Sequence, residues 1–228
     1  MEKTIRLKSI VVGLLVALIT FIIVDVTPFL FLWAGLSSQR YDTQLALQKW
    51  AVKTSVFRFQ KVYTRNSILP LLVLSGDYTT AISYFDDLEA LGSADNFNTK
   101  LAIFSYIKIG EFDKALSYAI LINDKSRMAQ IYIKQKDYAK ANIMVESLML
   151  DNPVKISTYV YKSEMLYDGG KYNEANSYID KALNISPTYI DALYLKSRIM
   201  GKLGNSVESK KCFNQAKYLD SIKESMIR

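Results

Sequence analysis

ISTYVYKSEMLYDGGKYNEANSYIDKALNISPTY, residues Ile156 to Tyr189, is the stretch whose reading decides the fold. Apolar and aromatic side chains recur in it at steps of three and four. Tyr159, Val160, Met165, Leu166 and Tyr167 form the first set, and Tyr172, Ala175, Tyr178, Ile179, Ala182 and Leu183 the second. That spacing gathers each set on one face of an α-helix, so the stretch predicts two amphipathic helices. Gly169-Gly170 stands between the halves, where a left-handed residue ends a helix. Pro187 follows the second half, where it stops one helix and can open the next. Ser163, Ala175 and Ala182 are small enough for helix backbones to approach closely, while Tyr172 and Ile179 fill the space beside them.

The pattern repeats outward at a fixed step of 34 residues, from Ile122 to Lys223. Pro153 returns as Pro187, Tyr138 as Tyr172 and Ala182 as Ala216. Ala129 returns as Ser163 and Ser197, and Ala141 as Ala175 and Ser209, so each column keeps a size class rather than an identity. A period of this length marks a helix-turn-helix array. The pattern resembles the tetratricopeptide repeat, carried by Ser163, Gly170, Tyr172, Ala175, Ala182 and Pro187 in the central unit. Ala129, Tyr132, Tyr138, Ala141 and Pro153 carry it in the unit before, and Ser197, Gly204, Ser209, Phe213 and Ala216 in the unit after. There are departures. The family's large aromatic early in the first helix is Tyr159 here but Lys125 and Leu193 in the neighbours; Lys136 replaces the turn glycine and Ser221 the terminal proline.

Two degenerate units lie upstream. Gly76-Asp77-Tyr78 with Ala81 and Phe85, and Gly110-Glu111-Phe112 with Ala115, repeat the turn and second helix, again 34 residues apart. The next turn, at Lys136, comes only 26 residues after Gly110. The unit there is about two helical turns short, which should bend the array or open a gap in it. The expected class is all-α: one N-terminal transmembrane helix, then a solenoid of about five helix pairs. The expected segments are residues 1–36 (tail and transmembrane helix), 37–61 (basic juxtamembrane or capping helix), 62–121 (two degenerate units), 122–223 (three regular units) and 224–228 (tail).

The N-terminus supplies the membrane expectation. After Lys3, Arg6 and Lys8, the run from Ile10 to Leu32 is almost wholly apolar, the length a membrane-spanning helix needs. A cleaved leader has a shorter apolar core and a small-residue cleavage site, and neither fits here; no cysteine follows for a lipid anchor. Asp25 and Pro28 lie in the outer half of the run and Trp33 at its far edge. A carboxylate in hydrocarbon seeks a partner, and Pro28 frees the carbonyl of Val24 to seek one as well. Two readings follow: the helix docks on a multi-pass membrane subunit through Asp25, Pro28 and Trp33, or it ends near Val24 with Asp25 among the headgroups.

The net charge of +7 is uneven. Residues 37–65 hold six basic side chains and one acidic, whereas residues 66–228 hold 20 basic and 19 acidic. Leu45 to Tyr63 reads as a helix, either a capping helix or one on the membrane surface with Trp50 at the interface and Arg40, Lys49, Lys53 and Arg58 near anionic lipid phosphates. The basic tail before the apolar run places the solenoid outside the cytoplasm, in a bacterial inner membrane; the basic stretch after it argues for the cytoplasm. The repeats themselves are almost neutral, which argues against a nucleic-acid partner.

Chemistry is sparse. The chain has no histidine, removing the commonest general base and metal ligand at neutral pH. No phosphate-binding or nucleophile motif occurs, and no cofactor is expected. The acidic group Asp86-Asp87-Glu89 reads as a solvated helix face, and the lone Cys212 as a buried apolar residue. The resemblance implies a concave groove lined by the first helix of each pair, where Lys100, Phe104, Ser126, Gln130, Val160, Glu164, Tyr167, Tyr194 and Arg198 stand. It lacks the lysine–asparagine set with which some members grip a peptide C-terminus. The tyrosines there either bind a ligand or pack between units. The expected function is therefore a non-enzymatic, membrane-anchored scaffold for protein–protein interaction, an accessory or assembly subunit of a membrane or secretion complex. A membrane-tethered chaperone for exported clients and a cell-wall or polysaccharide-handling factor are the alternatives.

Overall fold

A residue with positive φ closes nearly every helix pair. Gly76, Gly110, Gly170 and Gly204 take φ between +75° and +85° at four of the five equivalent turns, and Lys136 takes +61° at the fifth. An αL residue ends the first helix and turns the chain directly into the second. Asp77, Asp137 and Asn205 follow three of these turns and cap the next helix: their side-chain oxygens accept the amides of Thr80, Lys140 and Glu208 at 3.4, 3.2 and 3.1 Å.

The computed structural model describes residues 12, 14–38 and 40–227. Those residues form twelve helices and no strand: α1 Leu14–Ser37, α2 Tyr41–Thr54, α3 Arg58–Ser75, α4 Tyr78–Ala90, α5 Asn96–Ile109, α6 Phe112–Leu121, α7 Lys125–Lys134, α8 Tyr138–Asp151, α9 Ile156–Asp168, α10 Tyr172–Ile185, α11 Ile190–Lys202 and α12 Ser206–Ile227. The chain divides into two compact units, one reaching to Ser105 and one from Tyr106 to Ile227.

The first unit is built on Ile68, Leu69 and Leu72 of α3 against Ala81, Phe85 and Leu88 of α4, all fully buried or within 1% of it. In the second, Val160, Ala175, Ile179, Ala182, Ala192, Leu195 and Ile199 form one cluster, and Ala129, Val145 and Leu148 another. A polar link recurs at the 34-residue period. Lys162 Nζ donates to Asn142 Oδ1 at 2.6 Å, and Lys196 Nζ to Asn176 Oδ1 and Asp180 Oδ1. Each lysine reaches from the first helix of one pair to the second helix of the pair before. Lys196 is almost buried, so the charge-assisted bonds compensate its desolvation.

One expectation needs correction, and the short repeat takes a definite form: α6 and α7 have 10 residues each, about one turn fewer than the 14-residue α8. Two successive helices thus share the shortening, and the chain passes between them through a tight turn at Asn123, φ +52°, closed by the Asp124 amide on the Ala119 carbonyl at 2.8 Å. The stretch Leu45 to Tyr63 is two helices, broken at Ser55–Phe57. Ser55 Oγ turns back to the Ala51 carbonyl at 2.7 Å, and the side chain of Gln60 takes the amides of Val56 and Phe57.

Lys136 carries a Cβ in a conformation that costs an L-residue roughly 1–2 kcal/mol, part of which glycine returns to the unfolded chain as entropy. Lys136→Gly should stabilise the protein by about 1 kcal/mol in denaturant unfolding; an unchanged or lower midpoint would contradict the shared turn geometry.

Candidate functional site

Helix α1 changes character half-way. From Leu14 to Ile23 its large side chains stand 45–66% exposed, whereas Pro28, Leu32 and Gly35 are buried against α2 and α3. The change falls at a π-helical turn, Ile22–Val26, next to Pro28. Proline has no amide and cannot continue the ladder to Val24, and a π-turn displaces the neighbouring bonds. The carbonyls of Val24 and Asp25 meet Gln60, whose Nε2 donates to them at 2.7 and 3.2 Å. Its Oε1 accepts Val56 and Phe57 at 2.9 and 3.0 Å, so the fully buried carboxamide uses both its ends. The reading in which the helix stops near Val24 is thereby corrected: Gln60 bridges the defect and the helix runs on to Ser37.

The partner that Pro28 calls for is therefore inside the chain, a role for Gln60 that the sequence reading missed. Its signal was weak: a glutamine four residues before Thr64 on an otherwise mixed helix. The Asp25 carboxylate has no cation or donor among the described residues. Trp33 is 69% exposed. Of the basic side chains assigned to lipid, Lys49 pairs with Asp77 at 3.4 Å and Arg58 Nη2 donates to the Leu91 carbonyl at 2.6 Å. Lys53 Nζ sits 4.8 Å above the half-exposed Trp50 ring, itself stacked on Phe31 at 6.1 Å. Arg40 is exposed, beside the start of α2.

The residues assigned to the groove fall in both units. Lys100, exposed, and Phe104, edge-on to Tyr78 at 6.0 Å, belong to the first. The second holds the rest. Gln130 accepts Arg127 Nη1 at 2.8 Å, Glu164 pairs with Lys134 at 3.3 Å, and the Arg198 guanidinium lies 4.4 Å over the Tyr167 ring. Val160 is buried in the core cluster. Tyr194 donates to Asp220 at 2.8 Å and packs edge-on to Phe213, and Tyr167 packs against Tyr172 at 5.4 Å. The tyrosines thus contribute to packing first, with Tyr167 and Arg198 forming a half-exposed cation–π platform. Burial pushes the Tyr161 phenol above its ordinary range, opposed by its hydrogen bond with Ser126 and by Arg127. An open pocket of about 330 Å³ is lined by Tyr138, Asn142, Lys162, Met165, Leu166, Gly169 and Lys171. No cluster of metal-ligating side chains occurs among the described residues.

A family model of the tetratricopeptide repeat matches residues 190–222, the pair α11–α12. That pair is a tetratricopeptide repeat. The chain shares its fold with a tetratricopeptide repeat protein from Parabacteroides merdae ATCC 43184, at 12% identity and TM-score 0.61 over 78% of this chain and 73% of that one. NprR in complex with its cognate peptide NprX is similar at 17% identity and TM-score 0.65, over 98% of this chain and 75% of that one. MamA (41-end) from Desulfovibrio magneticus RS-1 is similar at 13% identity and TM-score 0.50, over 71% and 96%. At these identities the likeness is one of fold. No curated protein matches the sequence. Helix α1 is long and apolar enough to cross a membrane, a test that a leader sequence also passes.

Replacing Gln60 tests the junction. Gln60→Leu keeps the volume but strands the carbonyls of Val24 and Asp25, at a cost of about 1–3 kcal/mol for an unsatisfied buried group. Denaturant unfolding of the full chain in detergent should show that loss, and an unmoved midpoint would mean the amide holds nothing.

Proposed function

We propose that this chain is a membrane-anchored tetratricopeptide-repeat scaffold, an accessory or assembly subunit that holds other proteins at a bacterial inner membrane. The carrying observation is the divided helix. Leu14 to Ile23 is apolar and uncovered, as a lipid-facing segment is, while Pro28, Leu32 and Gly35 are built into the first unit's packing. A leader cut near Ser37 would strip α2 and α3 of the helix that covers Gln48 and satisfies Gln60. This favours a retained anchor.

The Asp25 carboxylate, unpartnered among the described residues and adjoining the uncovered half of α1, suits a donor on a multi-pass membrane subunit. The repeats then present the Tyr167–Arg198 platform, together with Glu164 and Gln130 of the first helices, to an extended protein segment. NprR, bound to its cognate peptide, is a precedent for the fold in that role. The short basic N-terminal tail favours repeats outside the cytoplasm.

The protein extracted from its native membrane in mild detergent should resist alkaline carbonate, carry an N-terminus ahead of Pro28, and migrate as a complex. Asp25→Leu should leave it in the membrane but release it as a single chain. A carbonate-soluble chain beginning after Ser37 would defeat the anchor, and an intact complex in Asp25→Leu would defeat docking through the carboxylate.

A further inference from the structure

The uncovered half of α1 is too short to span a bilayer alone. A hydrocarbon core is about 30 Å thick and takes about 20 helical residues. Counted from Ile10, where the sequence turns apolar, that length ends at the level of Phe29 rather than at Val24. At that level the turn between α2 and α3 lies alongside α1, because Gln60 bonds to Val24 and Asp25. The turn is apolar and exposed: Val56, Phe57 and Phe59 are 55%, 43% and 57% accessible. They continue a row of rings, with Phe57 stacked on Phe59 at 5.9 Å and Phe59 on Phe29 at 6.0 Å. Beside the row stand the cations Lys53 and Arg58, both exposed, and between residues 40 and 65 the one acidic side chain is Asp42, at the opposite end of α2.

We propose that the α2–α3 turn is a second membrane contact, with Val56, Phe57 and Phe59 entering the headgroup–acyl boundary of the leaflet from which α1 emerges, and Lys53 and Arg58 meeting anionic lipid phosphate. The proposal rests on the anchor reading and adds to it. A single helix leaves its cargo free to swivel; a helix plus an aromatic wedge fixes the first repeat against the bilayer. Aromatic side chains partition to this interface, and cations beside them gain from anionic lipid. The occupant is lipid rather than protein because the row stands where the uncovered half of α1 ends, and the charged side chains beside it on α2 and α3, Lys53 and Arg58, are both cations.

The test uses the full chain in vesicles of equal parts phosphatidylcholine and phosphatidylglycerol. A single cysteine, at Leu18→Cys, Phe57→Cys, Phe59→Cys or Leu74→Cys, carries an environment-sensitive nitrobenzoxadiazole label. Cys212 is buried, and the labelled parent protein measures any background from it. Leu74 is exposed about 24 Å further along α3 at helical rise, and serves as the aqueous reference. Labels at 57 and 59 should emit to the blue and lose most of their intensity to doxyl-labelled lipid, as the label at 18 does, while the label at 74 does neither. Quenching at 18 but not at 57 or 59 would overturn the wedge and leave the anchor standing. A blue shift at 57 without lipid quenching would mean protein covers the turn, a second copy included, and would also overturn it. An unquenched label at 18 would remove both readings together.

Discussion

Paired helices approach one another here until only a small side chain fits between them. Ala81, Ala115, Ala141 and Ala175 occupy one position of successive second helices, each with at most 1% of its surface exposed. Larger side chains there would push the pair apart, and overpacked contacts of this kind typically cost about 1–3 kcal/mol. The same constraint reaches α1. A Cβ on Gly35 would fall 2.9 Å from Gln48 Cγ and 3.3 Å from the Gln44 carbonyl, so α1 touches α2 as closely as the helices of a repeat touch each other.

That closeness explains why α1 cannot be treated as a tether alone. Its C-terminal half is a packing element of the first unit, with Leu32 and Pro28 in the interior, and its N-terminal half has no protein cover among the described residues. Between the two lies a π-turn beside a proline, a combination that would leave carbonyls bare in lipid or core. One buried glutamine from α3 resolves it. The defect marks where α1 passes from an uncovered apolar stretch to one packed among side chains, and it holds Asp25 at that boundary.

Much of this was legible in the sequence and some was not. The 34-residue columns of small residues and the turn glycines specified the helix pairs, because size at a contact and φ at a turn are local properties of residue type. Lys136 could be placed at a left-handed turn only through the register of its neighbours. The break at Ser55–Phe57 was hidden, since it contains neither glycine nor proline and depends on Gln60, whose partners Val24 and Asp25 lie over thirty residues away. The same holds for the concave face. Spacing identifies Tyr194 as a residue of a first helix, but its bond to Asp220 and its contact with Phe213 are matters of tertiary placement. The stacking links from Lys162 to Asn142 and from Lys196 to Asn176 were visible as repeated letters whose pairing required the structure.

The central claim is that one helix serves both the membrane and the array. Amide hydrogen exchange of the full chain in lipid nanodiscs, followed through increasing denaturant, addresses it most directly. Thr27 to Ser37 should lose protection together with α2 and α3, as one cooperative unit, while Leu14 to Ile23 stays protected by lipid to the end. Exchange of Thr27 to Ser37 in step with Leu14 to Ile23, leaving α2 and α3 to open separately, would show that the anchor merely adjoins the repeats and would contradict the account.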